Sequence, residues 1–191
     1  MKKNVFTVNV HDMVEIAMLC ALAIVLDRFL KIPLGPTGGS INLSMVPIFF
    51  INLRHGWFKG FISGGLVYGL ITCLLDGYGL VCYPLEYFVA FGSTCILGVF
   101  AKYINNCFSS KTKIASSYVL VSVCIVLWAT IRLFAASIDS VLIYDYDFKA
   151  ALIYNFSYVY ISAIAVIVLT CSLLYLIARL NKIYPTSYLK N

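Results

Sequence analysis

Residues 68–92, YGLITCLLDGYGLVCYPLEYFVAFG, decide how the chain is read. Two apolar runs are joined by a short turn, and the second opens with a carboxylate, Glu86, flanked by Tyr83 and Tyr87. On an α-helix these three stand at i, i+3 and i+4, so two phenol rings and one negative charge share a face. Such a face suits a cation. A plainer reading is also open: Glu86 lies only a few residues inside its run and could reach the headgroups by snorkelling, with Tyr83 and Tyr87 as interfacial belt aromatics. A carboxylate within an apolar segment is nevertheless a functional-site candidate by default, because leaving it unpaired in lipid costs several kcal/mol.

The rest of the chain has the same apolar character. Of 191 residues, 62% are hydrophobic and 12% charged, and the mean hydropathy is +0.93. This composition is far from that of a soluble domain and reads as an all-α integral membrane protein. A span needs roughly 20 apolar residues, so the length holds about six spans and no soluble catalytic or ATP-binding domain. The spans are expected at about 14–30, 41–53, 57–75, 83–103, 114–138 and 151–180, as one membrane domain. Residues 34–40, LGPTGGS, hold three glycines and a proline and read as a loop or re-entrant turn. The opening MKKNVFTVNVHDM has two lysines and no apolar run before Val14, which reads as a retained cytoplasmic end. Seven cysteines lie scattered in apolar runs without a CxxC pair, as small core residues do. No cofactor, metal or nucleic-acid motif is present, and neither HEXXH nor GxSxG occurs, so an enzyme is not expected.

With both termini inside, ten of the fourteen basic residues fall on the cytoplasmic side, as the positive-inside rule requires. Acidic residues divide the other way. Asp27, Asp76, Glu86, Asp139, Asp145 and Asp147 fall outside, and only Asp12 and Glu15 inside. This is either simple charge sorting or a negative outer vestibule that concentrates a cationic solute. Ala17 and Ala21 on the first span, and Gly56, Gly60 and Gly64 at the start of the third, have the small-xxx-small spacing that permits close helix approach. Asn155, Tyr158 and Ser162 stand at i, i+3 and i+7 and make a second polar face at the outer end of the sixth span. Tyr144 and Tyr146 alternate with Asp145 and Asp147 just before it. Arg132, an isolated cation near the outer end of the fifth span, is expected to pair with Asp139 or Glu86.

Three stretches carry a resemblance: GGSINLSMVPIFFINLRHGWFKGFISGGLVYGL (residues 38–70), LEYFVAFGS (85–93) and IYNFSY (153–158). They resemble the substrate-binding S components of energy-coupling factor (ECF) vitamin transporters, and within them the thiamine-specific ThiT type. The resemblance implies a compact six-helix bundle in the cell membrane, with its substrate site near the extracellular face. By the same resemblance Glu86 is similar to the carboxylate that meets the thiazolium cation, Tyr87 to the adjacent ring, Tyr78 to a further ligand-facing tyrosine, and Asn155 to an amide for the aminopyrimidine. Tyr83, Tyr158 and Tyr144 complete the expected substrate-binding set. Ala17 and Ala21 look like the family's docking motif for a membrane coupling protein driven by two ATPase subunits. The pattern departs at Gly38, where some members carry a tryptophan, at Ala136, where a histidine is often found, and at Tyr144, where some carry a second tryptophan. No GKS or GKT sequence is present, so energy for uptake has to be borrowed. An S component for another vitamin or a nucleobase-like solute, and a stand-alone carrier, are the competing readings.

Overall fold

The computed structural model describes residues 9–33 and 39–190. The expectations placed on Lys2, Lys3 and Gly38, and most of the 34–40 loop, lie outside the described residues. The chain is an all-α bundle: α1 (Val10–Phe29), α2 (Met45–Phe61), α3 (Gly69–Asp76), α4 (Ala90–Gly92), α5 (Cys95–Val99), α6 (Ala101–Ser109), α7 (Ile114–Tyr144), α8 (Phe148–Ile183) and α9 (Ser187–Lys190). Two π-helical stretches, Ile62–Tyr68 and Tyr83–Val89, lead into α3 and α4. After α1 a two-residue antiparallel ladder pairs β1 (Ile32–Pro33) with β2 (Ser40–Ile41), Ile32 opposite Ile41.

Between the second and third expected spans, at Arg54-His55-Gly56, α2 continues through a kink at Gly56 rather than ending. Gly56 adopts φ +80°, ψ 176° in the middle of α2, a conformation that a side chain would strain, and a Cβ there would lie 2.5 Å from the Tyr188 ring. The fourth expected segment is bent too. It starts as a π-helix and bends by 41° between Tyr83–Val99 and Ala101–Ser109, running past the expected end at 103. Met45–Asp76, α7 and α8 are each long and apolar enough to cross a membrane, and the bent pair makes a fourth such run. α1 carries Asp12, Glu15, Asp27 and Arg28, which lower its apolarity. The 31 residues of α7 and the 36 of α8 outrun the expected limits at both ends or one. At 1.5 Å per residue they measure roughly 45 and 55 Å, well beyond a hydrocarbon core of about 30 Å.

The core lies where α2, α7 and α8 meet. Trp128 is fully buried, donates its indole N–H to the Ala90 carbonyl at 2.8 Å, and packs edge-on against Phe49 at 5.3 Å. Leu22, Leu74, Val123 and Ile164 are exposed and face outward, as they do when the solvent is lipid. Gly64 has the Phe91 carbonyl 2.5 Å from where a Cβ would stand, so this part of the glycine spacing serves close packing inside the bundle.

One end of the bundle is closed by paired charges. Lys59 bonds Asp12 at 2.8 Å, Arg54 bonds Glu15 at 2.8 Å, and buried His55 has its Nε2 3.3 Å from Glu15. Arg54 also donates to Asn181 at 2.9 Å, and Asn181 donates to Asn105. Thr186 donates to the Arg54 carbonyl at 2.6 Å, Ser187 bonds Asp12, and the Tyr188 ring lies against the Gly56 kink with Lys102 4.7 Å above it. The residues around α9 thus cover that end.

Candidate functional site

The opposite end is hollow. Two adjoining cavities of about 230 and 430 Å³ share Gly39, Tyr78, Glu86 and Tyr158 in their walls. The smaller is polar, bordered by Asp27, Lys31, Asp76 and Arg132 together with Tyr68, Tyr87 and Phe91. The larger runs between the protruding ends of α7 and α8, bordered by Ser140, Tyr144, Tyr146, Tyr154 and Asn155. Glu86 faces both.

Each wall is held by its own hydrogen bonds. Asp27 accepts from Asn42 at 3.0 Å, Ser44 donates to Asn42 at 2.8 Å, and the Tyr68 hydroxyl donates to Ser44 at 2.8 Å. Tyr158 donates to Asn155 Oδ1 at 2.7 Å, and Asn155 Nδ2 donates to Ser137 at 3.2 Å. One acceptor lone pair and one N–H of that amide remain for a ligand. Tyr144 and Tyr146 stack at 6.1 Å, and the Tyr144 hydroxyl lies 3.6 Å from Cys82. The α7–α8 connection is set by Asp147, whose carboxylate caps α8 by accepting from the backbone N–H groups of Lys149 and Ala150.

The charges are unevenly matched. Asp76 is paired with Arg28 at 2.8 Å and with Lys31 at 3.6 Å. Glu86 has the buried carboxyl of Asp139 within hydrogen-bonding reach, and among the described residues neither forms an ion pair. The expected pairing of Arg132 with Asp139 or Glu86 is absent: its guanidinium lies over the rings of Phe91 and Trp128, at 5.1 and 5.7 Å. What remains is a carboxylate without a direct ion pair, bordering two cavities that several tyrosines line, with the Asn155 amide in the wall of the larger. This arrangement can hold a cationic, aromatic solute.

Of the residues expected to bind substrate, Glu86, Tyr87, Tyr78, Tyr144, Asn155 and Tyr158 border one cavity or both. Tyr83 borders neither. Its hydroxyl donates to the Gly65 carbonyl at 3.0 Å and its ring tilts against Phe88. The π-helical turn widens the spacing to i→i+5, so the residue three before Glu86 no longer shares its face. Ala17 and Ala21 are exposed on α1, while Cys20, Ala23 and Asp27 turn into the bundle. Asn42 and Tyr68 border the smaller cavity without having been expected there, and Asp27 and Asp76, expected only as part of a negative outer vestibule, stand in its wall. Asp27 and Asp76 close apolar runs, and that position was the available signal.

A family model described as Thiamine transporter protein (Thia_YuaJ) matches residues 13–184. Thiamine transporter ThiT of Bacillus subtilis (strain 168) is 37% identical over 112 residues, 53% of this chain and 54% of that protein. The chain thus matches about half the length of this curated relative. A solved structure of ThiT from Listeria monocytogenes superposes with a TM-score of 0.68, covering 93% of this chain and 97% of that one at 22% identity, which establishes the shared helical fold. Since the family model takes in nearly all of the helical bundle together with both cavities, the chain belongs to the thiamine transporter protein family.

Proposed function

We propose that the chain is the substrate-binding S component of an ECF-type uptake transporter for thiamine, energised by a separate membrane coupling protein and two ATPase subunits. One observation carries this reading: Glu86, without an ion-pair partner among the described residues, faces two adjoining cavities whose walls carry several tyrosines, Tyr78, Tyr87, Tyr144 and Tyr158 among them. Thiamine offers a permanent cation and two aromatic rings, and the two cavities offer a place for each ring on either side of Glu86. Two unit charges about 4 Å apart attract by roughly 4 kcal/mol at an effective dielectric near 20, before desolvation is set against them. A phenol facing the cation adds about 0.5–2 kcal/mol. Tyr87 and Tyr78 are the rings placed to do so. Asn155, steadied by Tyr158 and Ser137, presents the amide for an aminopyrimidine.

In this reading the hollow end faces the extracellular side of the cell membrane and the charge-sealed end faces the cytoplasm, which agrees with the excess of basic residues on that side. Exposure of Ala17 and Ala21 supports their use in docking the coupling protein, since a stripe for internal packing would be covered. The sealed end also disfavours a stand-alone carrier, which needs a polar path through the bundle. Calorimetric titration of thiamine into the purified protein and its Glu86→Gln variant tests the proposal. Equal binding by both, within threefold, overturns the role of Glu86, and no binding by the wild type overturns the substrate.

A further inference from the structure

Asp76, the last residue of α3, divides its carboxylate between two partners. Oδ2 accepts from the Tyr87 hydroxyl at 2.9 Å, and Oδ1 accepts from Arg28 at 2.8 Å with Lys31 3.6 Å away. Arg28 reaches further along the same helix, to the Thr72 carbonyl at 3.5 Å. Tyr87 borders the smaller cavity, whereas Arg28 borders neither cavity. A tyrosine ring that forms a cavity wall is placed by its χ torsions, and a hydrogen bond at the hydroxyl fixes the far end of the ring.

We propose that Asp76 is a positioning residue for ligand binding, holding the Tyr87 ring on one oxygen and α1 on the other, so that the cavity's grip depends on Arg28, which borders neither cavity. The proposal rests on the reading of Tyr87 as a ligand-facing ring. It makes α1 part of the site, because Arg28 projects from the helix that also carries Ala17 and Ala21. Asp76 borders the cavity, so the rival role is direct contact with the ligand's positive charge. The two roles differ in sign at Arg28. If Asp76 meets the cation directly, removing Arg28 frees its charge and tightens binding. If Asp76 positions Tyr87, removing Arg28 loosens the ring and weakens binding.

The experiment is a double-mutant cycle read by thiamine calorimetry on the purified full chain: wild type, Arg28→Gln, Tyr87→Phe and the pair. Each single change is expected to weaken binding by about tenfold and the pair by about the same, because either one releases the ring. Arg28→Lys, which keeps the cation, recovers part of the loss. A merely structural ion pair lowers the unfolding temperature without this non-additivity. If Arg28→Gln folds poorly, Asp76→Asn with Tyr87→Phe closes the same cycle. Tighter or unchanged binding by Arg28→Gln, or single losses that multiply to about a hundredfold, overturns the inference while leaving the substrate reading intact. Failure of the wild type to bind thiamine strikes the substrate reading instead.

Discussion

At one end of the bundle Arg54, His55 and Lys59 meet Asp12 and Glu15, and α9 with the residues before it lies across them. At the other, Glu86 and Asp139 stand together without an ion-pair partner among the described residues, beside two cavities. The residue types are the same and the outcomes are opposite. Where carboxylates and cations alternate between neighbouring helices, every charge finds a partner and the space closes. Where the cation at hand, Arg132, is drawn onto Phe91 and Trp128, the carboxylate is left over and the space stays open. Charge therefore serves cohesion at one end and, in the function proposed above, recognition at the other, and substitutions at the two ends are expected to act on different observables.

The largest expected effect is on stability at the sealed end. Arg54→Ala leaves Glu15 without its principal cation and Asn181 without its donor, a loss of about 3–5 kcal/mol for a broken buried pair. For a chain of this size that is a fall of roughly 10 °C in the unfolding midpoint in detergent, at little cost to ligand affinity in the protein that remains folded. A collapse of affinity with no thermal change would erase the distinction between the ends. Glu86→Gln is the converse. Losing one partner of a cation pair costs about 2–5 kcal/mol of binding, or roughly 30- to 4000-fold in thiamine Kd, while the unfolding midpoint holds or rises because a carboxylate without a direct ion pair has gone. Tyr158→Phe removes the bond that steadies Asn155, worth about 0.5–1.5 kcal/mol, so a threefold to tenfold weaker Kd is expected by titration. Smallest on the isolated protein is Ala17→Leu: binding and unfolding stay as in the wild type, and uptake by cells carrying the coupling subunits stops. Lost folding in that variant would show the stripe to be internal.

Much of this was legible in the chain itself. The Gly56 kink was visible, as a boundary between spans, because a basic pair and a glycine interrupt an apolar run, and the cavity walls because Glu86 and Asn155 are polar where neighbours are not. The outer ends of α7 and α8 were not. Asp145, Tyr146 and Asp147 form the connection between the two helices, and Tyr146 within it and Tyr144 beside it border the larger cavity. Tyr83 misled because helical spacing was assumed where the backbone is π-helical. Arg132 misled because an aromatic pair, Phe91 from α4 and Trp128 one turn earlier on α7 itself, can satisfy a guanidinium as a carboxylate does. The partners of Asp12 and Glu15 lie 47 and 39 residues away, a distance that periodicity does not span.

The cover over the Gly56 kink has a consequence for biosynthesis. Thr186 closes onto the Arg54 carbonyl across 132 residues of sequence. At roughly 5–20 residues per second, the ribosome needs on the order of ten seconds to make that stretch. During this interval the kink lies without its lid, and Arg54 and Lys59 have only the α1 carboxylates for company. A nascent chain stalled before Thr186 therefore has its ion pairs to α1 in place but leaves the Arg54 carbonyl and the kinked helix without their cover.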